Sequence, residues 1–252
     1  MQIALMKINS HIQIAPEISC SMNWPASDKK SGQQYRFVLP EAPLSEAEWT
    51  RCLGALESFV EHARFVIASG SLPPNVPDDF YARAGRIAKQ SGCKMALDTA
   101  GAPLAAALKE GCYLLKPSLR ELQELAHAPL LDPGAWLEAS RSLVKTGGVE
   151  VVALTLGHRG ALLVTQDSAF RAYTPDVQVV SAGGAGDSLL GAMVWHLASG
   201  TSITEAFRYG VAAGSAAVIN PGTELCQAAD VIRLYNEVQL ESLYGSSLHS
   251  AA

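Results

Sequence analysis

At 252 residues, with 48% hydrophobic and 17% charged residues, the chain is long enough to bury the core of one large α/β domain, which excludes disorder as its main state. A formal charge of -5, from 19 Lys+Arg against 24 Asp+Glu, leaves no broad basic footprint for nucleic acid or for a membrane surface. Five scattered cysteines without a Cys-x-x-Cys pair argue against a disulfide framework or structural zinc, and no basic leader or membrane-length apolar run is present, so a soluble cytoplasmic protein is expected.

The first 30 residues alternate briefly around Ile3 to Ile8 and Ile12 to Ile14 and then become turn-rich from Ser21 to Lys30, which predicts short strands or an irregular arm. From Tyr35 to Leu39 a strand is expected. Ser45 and Glu48 have the Ser-x-x-Glu spacing of a capping box opening a helix to about His62. The apolar run Phe65 to Ala68 reads as a buried parallel strand, followed by a helix over Pro77 to Gln90, a strand over Lys94 to Asp98 and a helix over Pro103 to Glu110. Tyr113 to Leu115 is the next strand, Ser118 and Glu121 repeat the capping-box spacing, and a helix over Pro133 to Lys145 precedes a strand over Val151 to Leu156. Residues 161–180 read as three short antiparallel strands. Helices are then expected over Gly184 to Ala198, Ile203 to Ile219 and Ala228 to Leu240. Alternation of helices with strands apolar on both faces predicts an α/β fold of three layers, a doubly wound and mostly parallel sheet covered on both sides.

Ligands of such sheets bind where strands end, which draws attention to Ser69 to Pro74, Asp98 to Gly101, Lys116 to Ser118 and Thr155 to Gly157. The densest signal is Ser181-Ala-Gly-Gly-Ala-Gly-Asp-Ser188, whose glycines let successive backbone N–H groups face one anion at the start of a helix. Asp187 there is either an ordinary first-turn acid or a catalytic base. No Lys follows these glycines as a P-loop requires, and counting from Gly184 reaches Gly186 and then Leu189, which breaks the dinucleotide fingerprint Gly-x-Gly-x-x-Gly. Gly186-Asp187-Ser188-Leu189 repeats the letters of a GDSL esterase motif, but the histidines after it, His196 and His249, do not stand in the Asp-x-x-His arrangement of that class.

Taken with the alternation, the segments Ser31 to Pro40, Ser69 to Pro74, Asp98 to Gly101, Lys116 to Glu121, Thr155 to Ala161, Gly184 to Ser188, Val211 to Ala217 and Asn220 to Thr223 closely resemble sugar kinases of the ribokinase superfamily, on its phosphofructokinase B branch. The resemblance implies an ATP-dependent kinase of a ketose phosphate. Tyr35 to Val38 points to fructose 6-phosphate becoming fructose 1,6-bisphosphate, with 1-phosphofructokinase and tagatose-6-phosphate kinase as neighbouring activities.

By that resemblance Asp187 is the base for the sugar hydroxyl, and the N–H groups of Gly184, Ala185 and Gly186 form the anion hole, which suits the positioning and charge stabilisation that phosphoryl transfer demands. Lys116, Ser118, Thr155, Gly157, Val211 and Ser215 are implied for ATP, and Glu121 for Mg²⁺ through water. Ser118 stands where the family usually has Asn. Ser181, Gly183, Ala217, Asn220 and Gly222 correspond to a family K⁺ site, and Arg36 and Ser71 join Asp187 for the phosphosugar. A homodimer is compatible with the family, and neither nucleic acid nor membrane is an expected partner.

The acidic first strand, the Gly-Gly segment with Asn-Val-Ala and the lid strands with which family members begin are not found before Ser31, and residues 1–30 contain no glycine. The expectation is therefore an atypical segment over 1–30, the carboxyl portion of the kinase domain over 31–245 with N-terminal strands and lid incomplete, and a frayed tail over 246–252. A second reading follows, a nucleotide-binding remnant of this fold with impaired catalysis.

Overall fold

The computed structural model describes residues 2–7, 23–27, 34–38, 42–221 and 224–243. In chain order the strands and helices are β1 (Gln2–Lys7), β2 (Asn23–Ser27), β3 (Gln34–Val38), α1 (Glu46–Val60), β4 (Ala63–Ser69), α2 (Phe80–Gln90), β5 (Lys94–Asp98), α3 (Gly101–Glu110), β6 (Cys112–Leu115) and α4 (Leu119–Ala126). They continue as α5 (Pro133–Lys145), β7 (Val149–Thr155), β8 (Ala161–Val164), β9 (Ala169–Tyr173), α6 (Ala185–Ala198), α7 (Ile203–Val218), α8 (Ala228–Tyr235) and β10 (Gln239–Ser242).

One eight-stranded sheet runs β1-β4-β5-β6-β7-β8-β9-β10, and β2 and β3 form a separate antiparallel pair. From β1 to β7 neighbouring strands are parallel, and from β7 to β10 they are antiparallel. The sheet is thus mixed.

Side-chain alternation along the strands sorts the core into two layers. Val66, Met95, Leu97, Leu115, Val152 and Leu154 face one way and pack under α1 to α5, where Trp49, Leu56, Phe80, Tyr81, Leu104 and Trp136 are buried. Their neighbours Phe65, Ile67, Ala96, Leu114, Val151 and Ala153 face the other way, under α6, α7 and α8. Both faces are therefore covered, as the uninterrupted apolar runs required.

Both capping boxes form: Ser45 and Glu48 at α1, and Ser118 and Glu121 at α4, each exchange the reciprocal backbone bonds. Asp132 caps α5 in the simpler way, accepting from Ala135 N at 2.9 Å.

Some expectations are corrected. Residues 161–180 form only β8 and β9, because the free edge of β9 is taken by β10 and Val179 and Val180 stay outside the core, at 61% and 44% exposure. The last helix ends at Tyr235 rather than near Leu240, since Leu240 pairs with Ala172 across that edge. The turn-rich stretch from Ser21 contains β2, which tolerates Pro25 because a two-stranded pair leaves one side of each strand without a ladder partner. Ile12 to Ile14 and the tail 246–252 lie outside the described residues.

Candidate active site

The carboxyl ends of β4, β5, β6 and β7 and the first turn of α6 converge on one spot. Gly184 closes the glycine loop with φ of +76°, a left-handed conformation that a side chain would strain, and α6 starts at the next residue. Behind that loop the chain is anchored: Val180 N and Ser181 N both donate to Val218 O, at 2.7 and 3.1 Å. Gly214 lets α7 lie close, for a Cβ there would stand 3.2 Å from Ala185 O.

Asp187 in the first turn of α6 accepts a hydrogen bond from Ser69 Oγ, at the end of β4, at 3.2 Å. Opposite, Lys116 is only 6% exposed, and its Nζ lies 3.0 Å from Asp98 Oδ2. A Cβ placed on Gly186 would stand 3.1 Å from that same Nζ, so the ammonium presses against the glycine loop. Burial is the main reason that the Asp98 carboxyl is raised above its ordinary range; Lys116 opposes it, and the charges of Asp187 and Glu121 add to it. A buried cation, N–H donors at a helix start and a carboxylate thus stand together where strands end, an arrangement suited to holding an anionic group beside a proton acceptor.

Ser118 and Glu121 hold each other: Ser118 N donates to Glu121 Oε2 at 2.8 Å, and Ser118 Oγ accepts from Glu121 N at 3.3 Å. The capping function expected as the plain alternative is therefore fulfilled. Thr155, ending β7, is tied to the same segment, donating from N and from Oγ1 to Pro117 O at 2.9 and 3.2 Å. Gly157 follows in an exposed turn with φ of +61°.

Ser215, one residue beyond Gly214, is 5% exposed, and its Oγ has no hydrogen-bond partner. Val211 is 2% exposed and packs in the α6–α8 core. Ser181, Ala217 and Asn220 are gathered by the anchoring bonds to the end of α7, where Asn220 N donates to Ala217 O at 3.2 Å and Gly183 N donates to Ser181 Oγ at 3.2 Å. Gly222 lies outside the described residues.

Of the acceptor candidates, Ser71 is exposed just beyond the β4 end, whereas Arg36 sits in β3, paired with Pro25. Ser188 Oγ is buried without a hydrogen-bond partner, and His196 is stacked on Tyr209 at 3.7 Å, so the esterase arrangement does not form. Sequence reasoning assigned no role to Ser69 or Asp98. The available signal was position, as both are the last residue of a parallel strand.

Fold and site together define a ribokinase-like α/β protein in which a glycine loop opens a helix at the strand ends, with the Asp187 carboxylate in its first turn. The chain belongs to the pfkB family of carbohydrate kinases, whose family profile it matches over residues 10–230. The match thus begins upstream of Ser31. It is 39% identical over 213 residues to the ATP-dependent 6-phosphofructokinase isozyme 2 of Mycobacterium tuberculosis (strain CDC 1551 / Oshkosh), covering 84% of this chain and 62% of that protein. The chain therefore spans about three fifths of that relative's length. The structure resembles phosphofructokinase-2 from Escherichia coli in complex with potassium, with a TM-score of 0.81 at 35% identity over 87% of this chain and 72% of the other. Against the same enzyme in complex with fructose-6-phosphate the TM-score is 0.79 at 35% identity, covering 85% and 69%. No helix among the described residues is long and apolar enough to cross a membrane.

Proposed function

We propose that the chain is an ATP-dependent phosphosugar kinase that transfers the γ-phosphoryl group to fructose 6-phosphate. The observation that carries this reading is the convergence of Asp187, the α6 start and buried Lys116 at the strand ends. Asp187 takes the proton of the attacking hydroxyl. The N–H groups of Gly184, Ala185 and Gly186 receive charge developing on the transferred group, with the Lys116 ammonium behind them.

The ATP phosphates run along Lys116, Ser118 and Thr155 past Gly157, and the unpaired hydroxyl of Ser215 offers a polar contact to the nucleotide below Val211. Mg²⁺ keeps its waters and binds through substrate phosphates; Glu121, oriented by the Ser118 N–H, would hold it through water. When bound, the ion supplies neutralisation of phosphate charge. Ser181, Gly183, Ala217 and Asn220, with Gly222, are the proposed carbonyl-rich K⁺ site, and the potassium complex of the similar Escherichia coli enzyme supports it. Arg36 and Ser71 are proposed for the sugar phosphate and sugar, completing the acceptor side of Asp187.

The test is a coupled ADP-release assay with fructose 6-phosphate, alongside fructose 1-phosphate and tagatose 6-phosphate. Turnover above an Asp187→Ala control supports the reading, and preference for another acceptor reassigns the substrate. The second reading is a nucleotide-binding protein with impaired transfer. ATP binding without ADP release selects that one, and failure to bind ATP removes both.

A further inference from the structure

The elements that meet at Asp187 come from two adjacent layers of the molecule, a helix and the sheet beneath it. Asp187 belongs to α6, and its partner Ser69, 118 residues away in sequence, ends β4. The backbone of Ser69 is fixed on both sides, in register with Lys7 of β1 and with Asp98 of β5. The next residue, Gly70, has φ of +111°, donates from N to Asp98 O at 2.9 Å, and accepts at its carbonyl from Tyr81 Oη and Thr99 Oγ1, both at 2.9 Å. Ser69 itself is 6% exposed. Its hydroxyl is thus mounted on one of the most constrained places in the sheet.

A carboxylate at a helix start has other ways to lie. It can turn back onto the N–H groups of its own first turn, as helix acids do, or move away from other negative charge. Asp98, at the end of β5, and Asp187 act on each other as like charges, and the stretch of α7 packed nearby, Val211 to Ala217, carries no titratable side chain. The Ser69 hydroxyl is a donor on the sheet that holds the Asp187 carboxylate toward the strand ends against that repulsion.

We propose that Ser69 is a positioning residue for Asp187: its Oγ–H, donated to Oδ1, fixes the direction in which the carboxylate meets the substrate hydroxyl. This rests on the kinase reading for its catalytic consequence, while the hydrogen bond itself concerns the unliganded chain. Misdirection of a base lowers the chemical step rather than nucleotide affinity.

The test compares the unsubstituted chain with Ser69→Ala, Ser69→Thr and, for assignment, Asp187→Asn. With aspartate carboxyl carbons labelled for NMR, the resonance missing from Asp187→Asn identifies Asp187. In Ser69→Ala that resonance, read at one fixed pH, is expected to move from its original position, and in Ser69→Thr, which keeps the hydroxyl, to return to it. In the turnover assay Ser69→Ala is expected to lower kcat by about tenfold with KM for ATP unchanged, and Ser69→Thr to restore it. An unmoved resonance in Ser69→Ala overturns the proposal, as does a loss that Ser69→Thr fails to restore in a chain that still unfolds at the original temperature. A chain without any turnover counts against the kinase reading alone, since the resonance still decides the role of Ser69.

Discussion

The two faces of the sheet are packed by different means. Beneath α1 to α5 the helices stand on bulky side chains: Trp49, Leu56, Phe80, Tyr81, Leu104 and Trp136 fill the space. On the other face α7 meets α6 through a seam of small residues, with Gly210, Ala213, Gly214 and Ala217 buried, so close that a Cβ at Gly210 would stand 2.9 Å from Leu189 O. The first arrangement spreads burial over many large side chains. The second gives up side-chain burial for closeness, and so holds the start of α6, with its glycine loop and Asp187, over the strand ends. Bulky burial and the proposed base Asp187 are thereby carried on different sides of one sheet.

The largest expected effect separates them directly. Asp187→Asn, on the small-residue face, should lower phosphoryl transfer by roughly 10² to 10⁴-fold while the unfolding temperature stays nearly unchanged, as steady-state turnover and thermal melts would show. Its counterpart is Leu104→Ala on the bulky face. Leu104 is fully buried. Its truncation should cost about 2–5 kcal/mol in urea unfolding while turnover per folded molecule holds. If Leu104→Ala changed the chemistry as much as the stability, the division between faces would fail.

Gly210→Ala tests the seam. The added methyl would stand 2.9 Å from a backbone oxygen and 3.3 Å from Met193 Cβ, so α6 must shift. The expected cost is about 1–3 kcal/mol, accompanied by a drop in turnover that urea and activity measurements on one sample would reveal together. Retained turnover would mean that the helix start is placed by the anchoring of Ser181 to Val218 alone.

Much of this division was legible in the sequence. Parallel strands showed as apolar runs, and the capping serines marked α1 and α4 to the residue. The glycine loop also declared itself, because backbone donors need residues that bend freely. What escaped were features made by partners far away in the chain. β10 is a strand only because β9 offers an open edge, and Leu240 follows the amphipathic pattern of α8 without a break in composition. Ser69 and Asp98 belong to segments already marked as strand ends, yet a serine's partner 118 residues away leaves no local trace.

Thiol reactivity reads the two faces without any ligand. Cys52, Cys93 and Cys112 lie in the bulky core, and burial pushes their thiols up, Cys112 to about 12. Cys226 is half-buried beside the other core. Since the thiolate is the reactive form, raising the pH from 7 to 9 should leave Cys112 almost untouched, while Cys226, more open to the reagent, should be labelled first, as mass spectrometry of partly labelled protein would show. The sign for stability follows: the fold favours the neutral Cys112 thiol, so that contribution is present below its ordinary value of 9.0 and is lost as pH rises toward about 12.

The smallest effect concerns charge on the bulky face. Arg86 Nη1 lies 2.6 Å from Glu110 Oε1, joining α2 to α3, with the two side chains 47% and 35% exposed. A pair so open to water is screened and holds two flexible side chains in place, so its net worth should be below about 1 kcal/mol. Arg86→Met should therefore shift the urea midpoint only slightly, and half-molar salt should erase the difference from the unsubstituted chain. If the shift were large and survived salt, α2 and α3 would be clamped by charge, and the claim that this face stands on its buried bulky side chains would have to be withdrawn.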